Sequence, residues 1–141
     1  MISHTDVIDA VATRLATAHI AAWDGPDRPL PDNGLPPVFV KRLQATPDTA
    51  FAVNVYNMTL SPDPSLPGQV AYVQIRTRAP YDADPLADMA AAALHGVHAE
   101  SWTGTVRVGR CRHLSTAQLG ADPDTLLDER TDNYEIHLST N

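Results

Sequence analysis

His95 and His98 stand three residues apart at the end of an alanine-rich run. On a helix that spacing puts both imidazoles on one face, as a metal pair would need. Only Asp88 is close enough in sequence to add a ligand, and protonatable side chains are common at helix C-termini because they suit the dipole. The pair therefore reads first as a helix end. Asp122, Asp124 and Asp128 suggest a calcium loop, but Leu127 occupies the position that needs glycine and the terminal bidentate glutamate is missing. A solvated turn is the simpler reading. Cys111 and His113 share one face of an expected strand, with Arg110 and Arg112 on the other, so nothing lowers the thiol pKa. The chain has no Gly-x-Ser-x-Gly segment and no glycine-rich phosphate loop. These patterns imply no catalytic residue, no metal and no cofactor.

Arg76 and Arg78 leave one face of an alternating strand. Such a pair is either a solvated face or a fork for carboxylates across a subunit boundary. Trp23 and Trp102 fit a core edge, or else an interface anchor. Residues 26–37 contain five prolines, Pro29 and Pro31 among them. A segment so poor in backbone donors is extended, either a surface connector or an arm that docks on a neighbour at low entropic cost.

Two helices and several strands must carry these residues. Ser3 and Asp6 resemble a capping box. Val7, Ile8, Val11, Ala12, Leu15, Ala18 and Ala22 recur at helical spacing, which predicts a first helix over 3–23 ended by Gly25 and Pro26. Strands are predicted at 38–43, 49–58, 70–78, 103–114 and 130–139, the last with Tyr134, Ile136 and Leu138 on one face. A second helix is predicted to open with Asp84 as N-cap and Pro85 as its first residue. It would bury Leu86, Met89, Ala90, Ala93, Leu94 and Val97, and end at Gly96. The order implies an α+β fold: a mainly antiparallel sheet of four to five strands with two amphipathic helices packed on one face. It reads as a single domain over 1–141 with extended loops at 26–37, 61–69 and 115–129.

The 141 residues suffice for one core without staples. A net charge of −7 and a pI near 5.1 disfavour a protein built to grip nucleic acid. A single cysteine excludes an intrachain disulfide framework. No apolar run approaches a membrane span, and the first six residues lack the pattern of a secretion signal.

The order of short motifs resembles the tail-terminator and minor capsid family of long-tailed bacteriophages of actinobacterial hosts. The motifs are Ala22-Trp23-Asp24-Gly25, Pro47-Asp48-Thr49-Ala50, Val73-Gln74-Ile75-Arg76-Thr77-Arg78, Leu94-His95-Gly96, Leu119-Gly120-Ala121-Asp122 and Asn133-Tyr134. The Gln-x-Arg-x-Arg strand followed by Leu-His-Gly is the most specific part. The proline segment at 26–37 and Asp128-Glu129 before Arg130 depart from the pattern. The resemblance implies a structural virion protein and no enzyme. It would form a homohexameric ring that caps the finished tail tube and meets a head–tail connector or head-closure protein. Genome DNA would pass the lumen without specific binding, and no membrane would be involved. The expected location is the head-proximal end of the tail, after assembly in the host cytoplasm. Trp23, Pro29, Pro31, Arg76, Arg78, Asp122, Asp124, Asn133 and Tyr134 are the expected interface residues. A head-side connector, a small hydrolase using His95, His98 or Cys111, and a dimeric binding module are the alternative readings.

Overall fold

The computed structural model describes residues 1–61 and 68–141. In chain order it contains α1 (His4–Thr17), β1 (Val38–Val40), β2 (Ala50–Leu60), β3 (Gln69–Pro80), α2 (Asp84–Leu94), β4 (His98–Ser101), β5 (Val106–Ala121) and β6 (Leu127–Thr140). The strands form one sheet of order β1-β2-β3-β6-β5-β4. The fold is α+β as expected, with six strands among the described residues. All pairings are antiparallel except β1 with β2, which is parallel. The expected loop at 61–69 lies, for residues 62–67, outside the described residues.

The Ser3 hydroxyl accepts from the Asp6 N–H at 3.1 Å, and the Asp6 carboxylate accepts from the Ser3 N–H at 2.9 Å. That completes the capping box at the start of α1. Val7, Ile8, Val11 and Leu15 are buried against the sheet, worth about 1.5–3 kcal/mol each. The helix ends at Thr17, six residues before the expected stop. His19 takes a left-handed φ of 59°, its N–H donates to Ala16 O, and the Ile20 N–H donates to Leu15 O. This is a Schellman stop without glycine, held by contact between buried Ile20 and Leu15. Burial of Ile20 to Trp23 outside the helix, with Ala22 bridged to Pro37, outweighs their helical spacing.

In α2 the N-cap is Ala83, one residue before the expected Asp84, which is the first residue of the helix. Ala83 is already in the right-handed helical region and caps with no side-chain bond of its own. Instead, the Asp128 carboxylate, from β6, accepts the Ala83 N–H at 2.7 Å. Ala83, Ala87, Ala90 and Leu94 form the buried stripe, and Met89 faces solvent. Alanines let the helix sit close to the sheet, and a methionine on that line would hold it off.

The segment 115–129, expected as an irregular loop, is the correction with the largest structural consequence. β5 runs to Ala121 and β6 starts at Leu127, pairing as a long hairpin. Three bulges, between Val108 and Arg110, His113 and Ser115, and Gln118 and Gly120, each shift β5 by one residue. Every shift moves side chains to the other face, so the two-residue alternation that marks a strand is erased from the sequence. β4 was not anticipated either. It is only four residues long and largely exposed.

Tyr134 is buried at the centre, its ring edge-on to His113 at 5.2 Å. Among the described residues its hydroxyl has no hydrogen-bond partner, and burial, first of all, pushes its pKa up. Desolvating an unpaired hydroxyl costs about 1–3 kcal/mol. Tyr134→Phe is therefore expected to keep or raise the melting temperature, checked by calorimetry. A fall of several degrees would mean the hydroxyl has a partner.

Candidate interaction surface and buried charge network

Both helices lie on one face of the sheet. The other face is open over β3, β6 and β5 and almost wholly polar. Opposed partners there fall into paired side chains. Gln74 Nε2 donates to Asn133 Oδ1 at 3.2 Å, and Asn133 Nδ2 to Ser115 Oγ at 3.0 Å. Arg76 Nε meets Glu129 Oε1 at 2.7 Å. Glu135 sits between Arg110, Arg112 and His137 at 3.8, 3.4 and 3.0 Å. The His137 bond, then the Arg112 charge, hold the Glu135 carboxyl below its usual range against the opposing effect of burial. Exposed pairs of this kind each add little stability. Together they make a polar surface whose charged groups are paired with one another.

The face is covered at one corner. Arg78 sits on the same side as Arg76 but is buried. Its Nε donates to Asp48 O at 2.9 Å, and one terminal nitrogen donates to Gln44 O at 2.7 Å and Pro47 O at 2.6 Å. The segment 41–49 is thereby tied over Phe39, Ala50 and Ala52, which are buried beneath it.

On the helix side, under α2, is a charge network that the sequence did not suggest. Arg130 is buried and pairs with Asp132 at 3.0 Å, Asp88 at 2.8 Å and Asp84 at 3.1 Å. Burial opposes the Arg130 charge, and the bonds from Asp132, Asp88 and Asp84 outweigh it, so its pKa is raised. Asp132 also accepts from Thr116 at 2.6 Å and meets His113 Nε2 at 2.8 Å. The register makes this possible, since Thr116 opposes Asp132 and Gln118 opposes Arg130 across β5 and β6. Gln118 in turn donates to Asp84 at 2.6 Å.

His113, Thr116 and Asp132 have the types of a hydroxyl–imidazole–carboxylate relay. Their geometry does not suit one. The carboxylate and the hydroxyl both meet Nε2, the hydroxyl at 3.1 Å, whereas a relay needs them on opposite ring nitrogens. The Cys111 thiol is buried, and desolvation pushes its pKa up to about 12. It is a poor nucleophile at neutral pH. His95 and His98 are separated by the turn at Gly96. His95 Nδ1 accepts from the His113 N–H at 3.0 Å, and the ring lines a shallow recess of about 340 Å³ with Ala91, Ala92 and His113. Among the described residues no group of three or more His, Cys, Asp or Glu side chains is arranged to hold a metal, and no helix is long and apolar enough to cross a membrane.

The expected interface residues divide. Pro29, Asp122 and Asp124 are exposed, Pro31 and Asn133 half-buried, and Arg76 is exposed on the open face. Arg76 and Asn133 come together there, two registers apart on β3 and β6. Asp122 and Asp124 sit at the hairpin tip, where Asp122 Oδ1 accepts from the Asp124 and Thr125 N–H groups. Those two bonds lower the Asp122 carboxyl pKa. Trp23, Arg78 and Tyr134 are buried within the subunit, Trp23 donating from Nε1 to Asp9 at 2.9 Å. Asp128 and Arg130 are structural residues that the sequence reading missed. Alternation put Arg130 on the inward face of β6, and a charged residue at an inward position was the signal.

No protein-family model matches the chain. No curated protein matches it either. Among solved structures, it is similar to a chain of the "Virion of native gene transfer agent (GTA) particle" at 15% identity and a TM-score of 0.49, over 93% of this chain and 84% of that one. A likeness that loose assigns no function.

Proposed function

We propose that the chain is a structural protein of a phage virion, a tail terminator whose ring, of six subunits, caps the completed tail tube and meets the head connector or head-closure protein. The observation that carries this reading is the open sheet face, which is polar and internally paired through Gln74–Asn133–Ser115, Arg76–Glu129 and the contacts of Glu135. Interfaces between protein partners carry direct hydrogen bonds and a polar rim, which such a surface can supply. The motif series supports the same reading. Its most specific strand, Val73 to Arg78, is the middle of β3, one of the two central strands of the sheet. It presents Gln74 and Arg76 to the open face. The acidic balance of −7 suits a ring through which DNA passes without sticking. The setting would be the head-proximal end of the tail, after assembly in host cytoplasm.

Electron microscopy of a lysate carrying an early stop codon in this gene tests the reading. Over-long headless tails beside DNA-filled heads are the expected result. Normal-length tails detached from heads would make the protein a head-side connector. Normal virions would overturn the structural role and return the dimeric binding module or an enzyme to consideration.

A further inference from the structure

Sheet margins in natural proteins are blunted by shortness, charge or proline. Two margins here obey that rule. β1 is three residues long, follows Pro36-Pro37, and has Ala22 bridged against its start. β4 is four residues long.

Two stretches do not obey it. β1 pairs with β2 only as far as Val53, and the chain then turns away at Lys41, whose N–H donates to Val53 O at 2.8 Å. From 54 to 60, β2 has no described strand on that side. On the opposite margin, β4 pairs with β5 only over 107–110, and Gly96 and Val97 bond Cys111. From 114 to 121, β5 has no described strand on its outer side. Both stretches lack charge and proline, and both expose large apolar side chains: Tyr56 and Leu60 on one, Leu114 and Leu119 on the other. The bulges in β5 bend its stretch, and residues 114–121 are all exposed.

The two stretches are of similar length and lie at opposite margins of one sheet. Their flanks are of opposite charge. Lys41 and Arg42 are exposed beside the Val53 end of β2, and Asp122 and Asp124 are exposed just past the Ala121 end of β5. Antiparallel pairing of 114–121 with 54–60 brings these flanks together, and parallel pairing separates them. We infer that the β5 margin of one copy adds to the β2 margin of the next, antiparallel and head-to-tail, so that the sheet continues from subunit to subunit. The contact is heterologous, the kind that closes into rings. This inference rests on the ring reading for the closure and size of the assembly.

The test uses cysteine pairs, since Cys111 is buried and remains silent. Asn57 and Ala117 lie near the middle of the two stretches and on the same open face. Air oxidation of mixed Asn57→Cys and Ala117→Cys chains is expected to give a disulfide dimer, with neither variant cross-linking alone. The double variant should give a ladder ending at the ring size. Lys41→Asp with Arg42→Asp should weaken cross-linking about tenfold, and Asp122→Lys with Asp124→Lys should restore it. Rings seen by microscopy without the mixed disulfide would overturn the strand pairing and leave the ring reading standing. Chains that neither self-associate nor cross-link, alone or with isolated tail tubes, would overturn both.

Discussion

Arg130→Met is expected to be the most damaging single substitution outside the apolar core. It removes the one guanidinium that, among the described residues, bonds Asp132, Asp88 and Asp84 together, and leaves Asp132, at 2% side-chain exposure, with Thr116 and His113 as its remaining partners. Breaking one side of a buried pair costs about 3–5 kcal/mol. For a chain of this size that is a fall in Tm of about 10 °C or more. Adding Asp132→Asn should recover at least half of the loss, because the stranded charge goes with its partner. Thermal unfolding of the two single variants and the double variant measures this. A fall under 2 °C for Arg130→Met would show that the network is solvated and weak. The pH dependence has a definite sign. Bonds from Gln118 and Arg130 hold the Asp84 carboxyl below its usual range. Its contribution is therefore complete above the ordinary carboxylate range and is lost as pH falls through the lowered value.

Arg78→Ala is expected to cost about 3 kcal/mol, from the loss of charge-assisted bonds to three carbonyls worth roughly 1.5–3 kcal/mol each before solvent replaces some of them. Arg78→Lys should recover less than half, because one ammonium cannot span the carbonyls of Gln44, Pro47 and Asp48 as the guanidinium fork does. The damage should be local first. Hydrogen exchange should rise across residues 41–49 and at Ala50 and Ala52 beneath them, with β6 protected as before. Uniform exchange across the sheet, or full rescue by lysine, would show that Arg78 acts only as a charge. If this tether fails, Lys41 and Arg42 also lose their fixed place beside β2.

The chain's local chemistry decided a good deal of this structure. The capping box at Ser3, the apolar spacing from Val7 to Leu15, the alternation in β2, β3 and β6, and the stop at Gly96 are each written in residues a few positions apart. Interactions of that range survive in any tertiary setting, so the α+β class and the helix–sheet order could be read from the sequence. The solvent side of Arg76 could be read as well. The end of α1, the N-cap of α2 and the strand content of 115–129 could not. Each depends on a partner farther along the chain: Pro37 bridged to Ala22 in the buried stretch Ile20 to Trp23, Asp128 at Ala83, and β6 beside a thrice-bulged β5.

The same division holds for the candidate surface. The sequence by itself determined that the chain is acidic, short of catalytic motifs and rich in polar strand positions. Only the tertiary structure decided that Arg78 is a tether while Arg76 is exposed, and that Arg130 and three aspartates form one network. It alone left the two bare margins at opposite sides of the sheet. The physical reason is register. A strand's residues carry their face in their own alternation, but which neighbours they meet is fixed by pairing partners scores of residues away, and every bulge resets that pairing.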